Sequence, residues 1–256
     1  MGEEPARPGR SGVASSRRTD QLAAALLAYA VVLAAFLLVP PYLKASVGPP
    51  AAFTLQEAAD LVTPLVVIPL AWLVFELAGG LGRRWLAAFL VIAALWVEGQ
   101  GIHLAANAIG DAFPHDGAAA FYQTVPGDLD LWLDETLSHW MWHVAWVALS
   151  MLVLAAATRA EVLPMNRMSA TAAVAGFVHG ATFFVVSVEG VTTLLGIPAS
   201  ILMLAWSALV GRRGLARQPV VTFFLVTTFV TLLGYVGWGA LNHWTLPEFS
   251  KVGLFS

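Results

Sequence analysis

The 256-residue chain contains no cysteine, and lysine occurs in it at only two positions, Lys44 and Lys251. The absence of cysteine excludes disulfide bonds, cysteine-ligated iron–sulfur clusters and thiolate zinc sites. Because both lysines lie outside the long apolar runs, neither is placed to form a Schiff base with retinal inside a helix bundle. The sequence also has no phosphate-binding glycine loop and no basic groove, so nucleotide hydrolysis and nucleic-acid binding have no support.

Charged residues are scarce: they make up 11% of the chain, against 59% hydrophobic residues and a mean hydropathy of +0.76. Apolar runs of roughly 18 to 26 residues, at about 1.5 Å per residue, are long enough to cross about 30 Å of hydrocarbon. Seven such runs occur, namely Leu22–Val39, Ala58–Leu77, Trp85–Ala108, Leu131–Ala156, Met168–Val188, Val191–Val210 and Val220–Leu241. We therefore predict an all-α, polytopic membrane protein with a seven-helix transmembrane bundle.

The arginines indicate the orientation of this bundle. All of them fall on the N-terminal tail or on the connections that lie on the same side of the membrane as the tail, whereas both lysines fall on the other side. They are Arg7, Arg10, Arg17, Arg18, Arg83, Arg84, Arg159, Arg167, Arg212, Arg213 and Arg217. Since cytoplasmic connections carry the excess of Lys and Arg, we predict a cytoplasmic N-terminus and an external C-terminus in the plasma membrane.

The chain divides into three predicted regions. Residues 1–19 are rich in Arg, Gly, Ser and Pro and are expected to be a disordered basic cytoplasmic tail, because they cannot bury enough apolar surface to order themselves. Residues 20–245 form the transmembrane domain, which contacts membrane lipid. Residues 246–256 are expected to be an external C-terminal tail.

Histidines supply the candidate functional site. Of the six in the chain, His139, His143 and His179 lie inside apolar runs, and His103 lies near the end of another. Counting about 1.5 Å per residue from the external ends places Glu98 and His139 about ten to twelve ångströms deep, with His143 and His179 slightly deeper. Ionisable groups at membrane depth are costly unless paired or metal-bound, so their meeting in one layer indicates a functional site.

The spacing of these residues predicts a metal site. Glu135, His139 and His143 follow one another at intervals of four, which places them on one face of a helix. A His-x-x-x-His pair presents two nitrogens one turn apart, and a third imidazole would complete a zinc site with one position open to water. The predicted ligands are His139, His143 and His179, with His103 as a replacement or fourth ligand.

A zinc-bound water in this position would suit hydrolysis of a lipid-like amide or ester, with Glu135 or Glu98 moving its proton. Two alternatives stay open. In the first, the protein is a non-catalytic bundle and the histidines are polar packing residues. In the second, the histidines bind haem, with room supplied by Ala105, Ala106 and Gly180, or serve as a proton or metal relay in a transporter or electron carrier.

Over about residues 97–185 the sequence resembles the transmembrane protein 45 family of seven-helix proteins. The matching elements, in chain order, are Glu98-Gly99, His103, Leu133-Asp134, Ser138-His139 and the stretch from His179 to Phe184. The resemblance implies the same fold. The chain departs from that family in a longer loop and in His179, where the family has Gln.

A chemical similarity links the chain to the CREST superfamily of alkaline ceramidases and adiponectin-type receptors. Those seven-helix proteins bind zinc for amide hydrolysis through a His, an Asp and a His-x-x-x-His pair. Here His103, Asp111 and the pair His139 and His143 are of the same types. In the superfamily the pair lies on the last helix, whereas here it lies on the fourth, so the similarity implies zinc chemistry rather than a shared ancestor.

Overall fold

The computed structural model describes residues 10–47, 53–80, 82–110, 112–113, 120–159, 169–212 and 218–254. Within these ranges the chain is helical, with one isolated bridge between Ser46 and Thr54 and no strand. The long helices are α1 (Arg10–Leu38), α2 (Leu55–Leu77), α3 (Arg83–Gly110), α4 (Val125–Arg159), α5 (Ala170–Glu189), α6 (Thr193–Gly211) and α7 (Pro219–Leu241). Seven helices are long and apolar enough to cross a membrane, which confirms the predicted all-α, multi-pass architecture.

Helix α1 begins within the segment expected to be a disordered tail. Residues 10–19 are helical in the structure and continue without a break into the apolar part of α1, because extending an existing helix costs far less than nucleating one. The Arg18 guanidinium donates to the carbonyl oxygens of Glu76 and Leu77, each at 3.3 Å, and so ties α1 to the end of α2. The rest of the predicted tail, residues 1–9, lies outside the described residues.

The C-terminal segment folds back onto the bundle instead of extending from it. Phe249 is buried against Phe184 and Trp238. The backbone N–H groups of Phe249 and Ser250 donate to Glu189 Oε2 at 2.8 and 3.3 Å, respectively. The predicted tail is therefore packed against α5 and α7 as far as the structure describes it; residues 255–256 lie outside that part.

Helices α5 and α7 pack closely because two glycines of α5 face the backbone of α7. A Cβ atom on Gly180 would lie 2.4 Å from the Thr227 carbonyl oxygen, and one on Gly176 would lie 2.5 Å from that of Phe223. Threonine hydroxyls cross the same contact: Thr227 donates to the Gly176 carbonyl at 3.1 Å, and Thr231 to that of Gly180 at 3.0 Å. Small residues and interhelical hydrogen bonds are the usual means of holding helices together in a membrane.

Helix α4 changes its winding near its beginning. Residues Val125–Trp132 and His139–Arg159 are α-helical, and Leu133–Ser138 between them form a π-helical turn. A π-turn places i→i+5 hydrogen bonds in the helix, so residues four apart on its two sides no longer align on one face. Such turns are frequent at functional sites.

Candidate functional site

A cavity of about 690 Å³ lies at the end of the bundle that carries Lys44 and the C-terminal segment, which we call the distal end. Its polar and charged lining consists of Lys44, Gln56, Asp60, Gln100, His103, Asn107, Asp134, Glu135, His139, Glu189, Glu248 and Ser250. Apolar side chains of α1 and α5 complete the wall, among them Leu37, Leu38, Val185 and Val186. Titratable groups from α2, α3, α4, α5 and the C-terminal segment thus face one space.

His103 is held between two polar partners. Its Nδ1 atom lies 2.6 Å from Asp134 Oδ1, and its Nε2 atom lies 3.1 Å from the amide nitrogen of Asn107. An amide nitrogen can only donate, so with this assignment Nε2 accepts and the ring proton sits on Nδ1. Asp134 is the close acidic neighbour of that Nδ1 atom, although the two atoms do not meet hydrogen-bond geometry.

His139 lies next to His103, with 5.0 Å between the ring centroids. Its Nδ1 atom is 3.1 Å from the backbone carbonyl oxygen of Glu135. A carbonyl can only accept, so Nδ1 carries the proton and Nε2 has a lone pair. His139 is half-buried and lines the cavity, and no described residue hydrogen-bonds to Nε2. Among the four predicted histidine ligands, it alone presents a basic nitrogen to the cavity.

His143 continues the row of imidazoles into the bundle, where it is fully buried. Its ring stacks on His139 with centroids 6.0 Å apart, and its Nδ1 atom lies 2.5 Å from Thr192 Oγ1. Since Thr192 begins the connection into α6, this hydrogen bond joins α4 to the α5–α6 connection. His143 thus has the contacts of a polar packing residue.

His179 occupies a separate, aromatic pocket. Trp146 Nε1 donates to its Nε2 atom at 2.9 Å, and the rings of Tyr29 and Phe223 lie 5.7 and 4.9 Å away. The Trp146 ring is 5.3 Å from His179 and 6.4 Å from His143, so it lies between the two histidines. His179 thus packs among aromatic rings, and its Nδ1 atom is buried with no partner in the described part of the chain.

The predicted zinc set is therefore not assembled, and the reason is helix depth. His143 lies beside Gly190, at the end of α5, because a Cβ atom on Gly190 would lie 2.8 Å from His143 Cε1. His179 precedes Gly190 by eleven residues, about 16 Å along α5. The sequence-based depth count started at Leu131 and placed His143 and His179 at the same depth in the membrane. Helix α4 begins earlier, at Val125, and extends further past the end of α5 than its apolar run suggested. Among the described residues, no group of three or more His, Cys, Asp or Glu side chains could hold a metal ion.

The space expected for haem is also occupied. Gly180, one of the three small residues thought to make room for it, is covered by the backbone of α7. Ala106 is buried and Ala105 is exposed, although they are neighbours on α3. These positions do not outline one haem-sized space between facing imidazoles.

The two predicted proton-transfer carboxylates have different surroundings. Glu135 lines the cavity but is exposed, because the π-helical turn separates it from the face that carries His143. Glu98 is exposed on α3 and does not line the cavity. Glu135 is therefore part of the cavity lining, and Glu98 is not.

Nine of the twelve polar lining residues were not predicted as site residues, and the four of them on α2, α3 and α4 that the argument uses are Asp60, Gln100, Asn107 and Asp134. Asp134 and Asn107 hold His103, and the Leu-Asp of the family resemblance was the available signal for Asp134. Asp60 had a signal in the sequence too, since it is a carboxylate inside the second apolar run.

Comparisons of the chain with protein families, with curated proteins and with solved structures found no match. The resemblances to the transmembrane protein 45 family and to the CREST superfamily therefore stay predictions. Seven helices of membrane-spanning length around a titratable distal cavity define the class, a multi-pass helical membrane protein.

The hydrogen bond between Trp146 and His179 gives a stability prediction. Trp146→Phe leaves the buried Nε2 atom of His179 without its donor, and an unsatisfied buried acceptor costs about 1–3 kcal/mol. Trp142→Phe removes the same volume from a buried position, but the Trp142 N–H has no partner in the described part of the chain. We expect a clearly lower melting temperature for Trp146→Phe than for Trp142→Phe, measured in the same detergent. Equal melting temperatures would contradict a stabilising role for the bond.

Proposed function

We propose that the protein is a hydrolase of lipid-like amides or esters and that His139 is its general base. The observation that carries the proposal is the state of His139: Nδ1 is fixed by the Glu135 carbonyl, and Nε2 opens on the cavity. An imidazole held in one tautomer, with a free basic nitrogen, is the usual arrangement for proton transfer near neutral pH.

The reaction needs no reactant besides water. His139 Nε2 takes a proton from a water molecule as the water oxygen bonds to the substrate carbonyl carbon. The resulting tetrahedral intermediate collapses with cleavage of the C–N or C–O bond, and the proton on His139 passes to the leaving amine or alcohol. The products are a carboxylic acid and that amine or alcohol. Proton transfer of this kind contributes about 10²- to 10⁴-fold to a rate.

Two neighbouring residues support this chemistry. The Asp134 carboxylate, beside the His103 ring, supplies negative charge that favours the imidazolium formed on His139. Trp142 lines the cavity, and its indole N–H is buried with no partner among the described residues. We propose that N–H as the donor for the oxyanion of the intermediate, which requires the indole ring to turn toward the cavity.

The walls of the cavity support a lipid-like substrate. Leu38 and Val186 present apolar surface beside the polar groups of α3 and α4, so the space suits a molecule that is polar at one end and apolar at the other. Zinc, the predicted cofactor, enters no step, because no group of three or more His, Cys, Asp or Glu side chains among the described residues could hold a metal ion.

The packing alternative applies to part of the histidine set. His143 and His179 bond to Thr192 and Trp146, as polar packing residues would. His139 is the residue that separates the proposals, since a purely packing role leaves its cavity-facing nitrogen without a use.

Hydrolysis by the purified protein in lipid nanodiscs tests the proposal. A series of fluorogenic acyl esters and acyl amides of increasing chain length would be supplied, with and without a chelator. We expect saturable release of the fluorophore that rises with chain length and withstands chelation. Release no faster than from empty nanodiscs across the series would refute the proposal.

We also propose that the protein lies in the plasma membrane with its N-terminus in the cytoplasm and the distal cavity outside. The arginine distribution supports this orientation. Because the chain lacks cysteine, single substitutions report on sidedness. In intact cells, Lys44→Cys is expected to react with a membrane-impermeant maleimide, and Arg84→Cys only after permeabilisation. The reverse pattern would overturn the orientation.

A further inference from the structure

Asp60 is a carboxylate that the proposed reaction does not use. It lies in the spanning helix α2, is only 7% exposed, and lines the cavity. No described residue donates a hydrogen bond to it or forms an ion pair with it. A carboxylate at this place in a spanning helix is costly unless a positive charge compensates it.

The neighbours of Asp60 carry charge of both signs. His103 can attract it when protonated, whereas Glu57 and Asp134 repel it, and the His103 Nδ1 atom lies 2.6 Å from the second of these carboxylates, Asp134. Gln100 adds a second acceptor: its Oε1 atom is buried with no partner in the described chain, and the residue is 3% exposed and lines the same cavity.

Among the residues that the structure describes, the two lysines of the distal end do not supply that charge. Lys251 pairs with Glu248, whose carboxylate raises the pKa of the Lys251 ammonium above its usual value. Lys44 is exposed and forms no ion pair with Asp60. Since no described lysine or arginine pairs with Asp60, we look to a molecule that enters the cavity as the source of a cation.

We infer that the cavity binds an amphiphile with a positively charged ammonium head, which lies against the Asp60 carboxylate beside the Gln100 side chain. An ammonium group donates several hydrogen bonds and needs no fixed ligand geometry, whereas a metal ion requires a ligand group that the described residues lack. The Trp142 ring in the wall is a further favourable surface for a cation. The apolar chain would lie along Leu38 and Val186. The inference rests on the proposed function only in taking this cavity as the ligand site.

Three probes of one chain length test the charge preference: octylamine, octanoate and octan-1-ol. Each is titrated into the purified protein in detergent while the melting temperature is followed, because a ligand that binds the folded state raises it with concentration. We expect a saturable rise with octylamine, at concentrations at least tenfold below any that give an equal rise with the other two. Equal stabilisation by octanol or octanoate would overturn the inference.

Variants assign the effect to the cavity. Asp60→Asn is expected to weaken octylamine binding at least tenfold, and Glu98→Gln, which removes an exposed carboxylate of a spanning helix outside the cavity, is expected to leave it unchanged. If Asp60→Asn does not fold, Gln100→Leu serves in its place. Unchanged binding in the variant that folds would reject the site.

This experiment is separate from the test of hydrolysis. Octylamine has no bond to cleave, so its binding does not depend on His139. Ester or amide hydrolysis without a preference for octylamine would reject the ammonium site alone. Binding of octylamine without hydrolysis would reject the proposed reaction and keep the site.

Discussion

Replacing Gly180 with leucine is expected to leave no folded protein. A Cβ atom at this position would lie 2.4 Å from the Thr227 carbonyl oxygen, which is backbone and cannot rotate away as a side chain can. Helix α7 would have to move, and the hydrogen bond from Thr231 to the Gly180 carbonyl would be lost with it. Overpacking costs about 1–3 kcal/mol, often more where backbone must shift, and native proteins are stable by only about 5–15 kcal/mol.

Gly237→Leu is the matched control for this prediction. Gly237 lies on α7, and a Cβ atom added to it meets nothing within 4 Å. We expect size-exclusion chromatography of detergent extracts to give a monodisperse peak for Gly237→Leu and aggregate or no protein for Gly180→Leu. A monodisperse Gly180→Leu variant with a wild-type melting temperature would show that α5 and α7 can move apart without loss of stability.

The spanning helices could be predicted because the membrane leaves few options for a long apolar run. The seventh run, Val220–Leu241, differs from α7 (Pro219–Leu241) by a single residue. Apolar runs fix the length of a helix inside the bilayer but not how far it continues past its neighbours. Because this extension was not known, the sequence predicted His143 at the depth of His179, whereas the structure places His143 beside Gly190 and Thr192.

The partners of the histidines could not be predicted for a different reason. Helix periodicity states which face a residue occupies, but not which side chain of another helix meets it. The hydrogen bond from Trp146 to His179 joins α4 to α5, and no spacing within either helix indicates it. The π-helical turn of α4 also broke the predicted stripe, because the interval of four from Glu135 to His139 was taken as regular α-helix.

The largest expected effect on activity comes from His139→Gln. Glutamine has similar length and can still donate to the Glu135 carbonyl, but its amide cannot accept a proton from water. We therefore expect kcat/KM for the best ester or amide substrate to fall about 10²- to 10⁴-fold, the usual contribution of a general base. His243→Gln, at an exposed histidine outside the cavity, is the control and is expected to keep wild-type activity.

Asp134→Asn completes the argument because Asp134 acts on His139 through its charge. Asparagine keeps the size of the side chain beside the His103 ring but removes the negative charge that favours the imidazolium. The loss of activity should be smaller than in His139→Gln and should move the pH profile, since a less basic His139 reaches its active, unprotonated state at lower pH. A pH profile unchanged in Asp134→Asn would remove Asp134 from the mechanism. Full activity in His139→Gln would show that another group is the base.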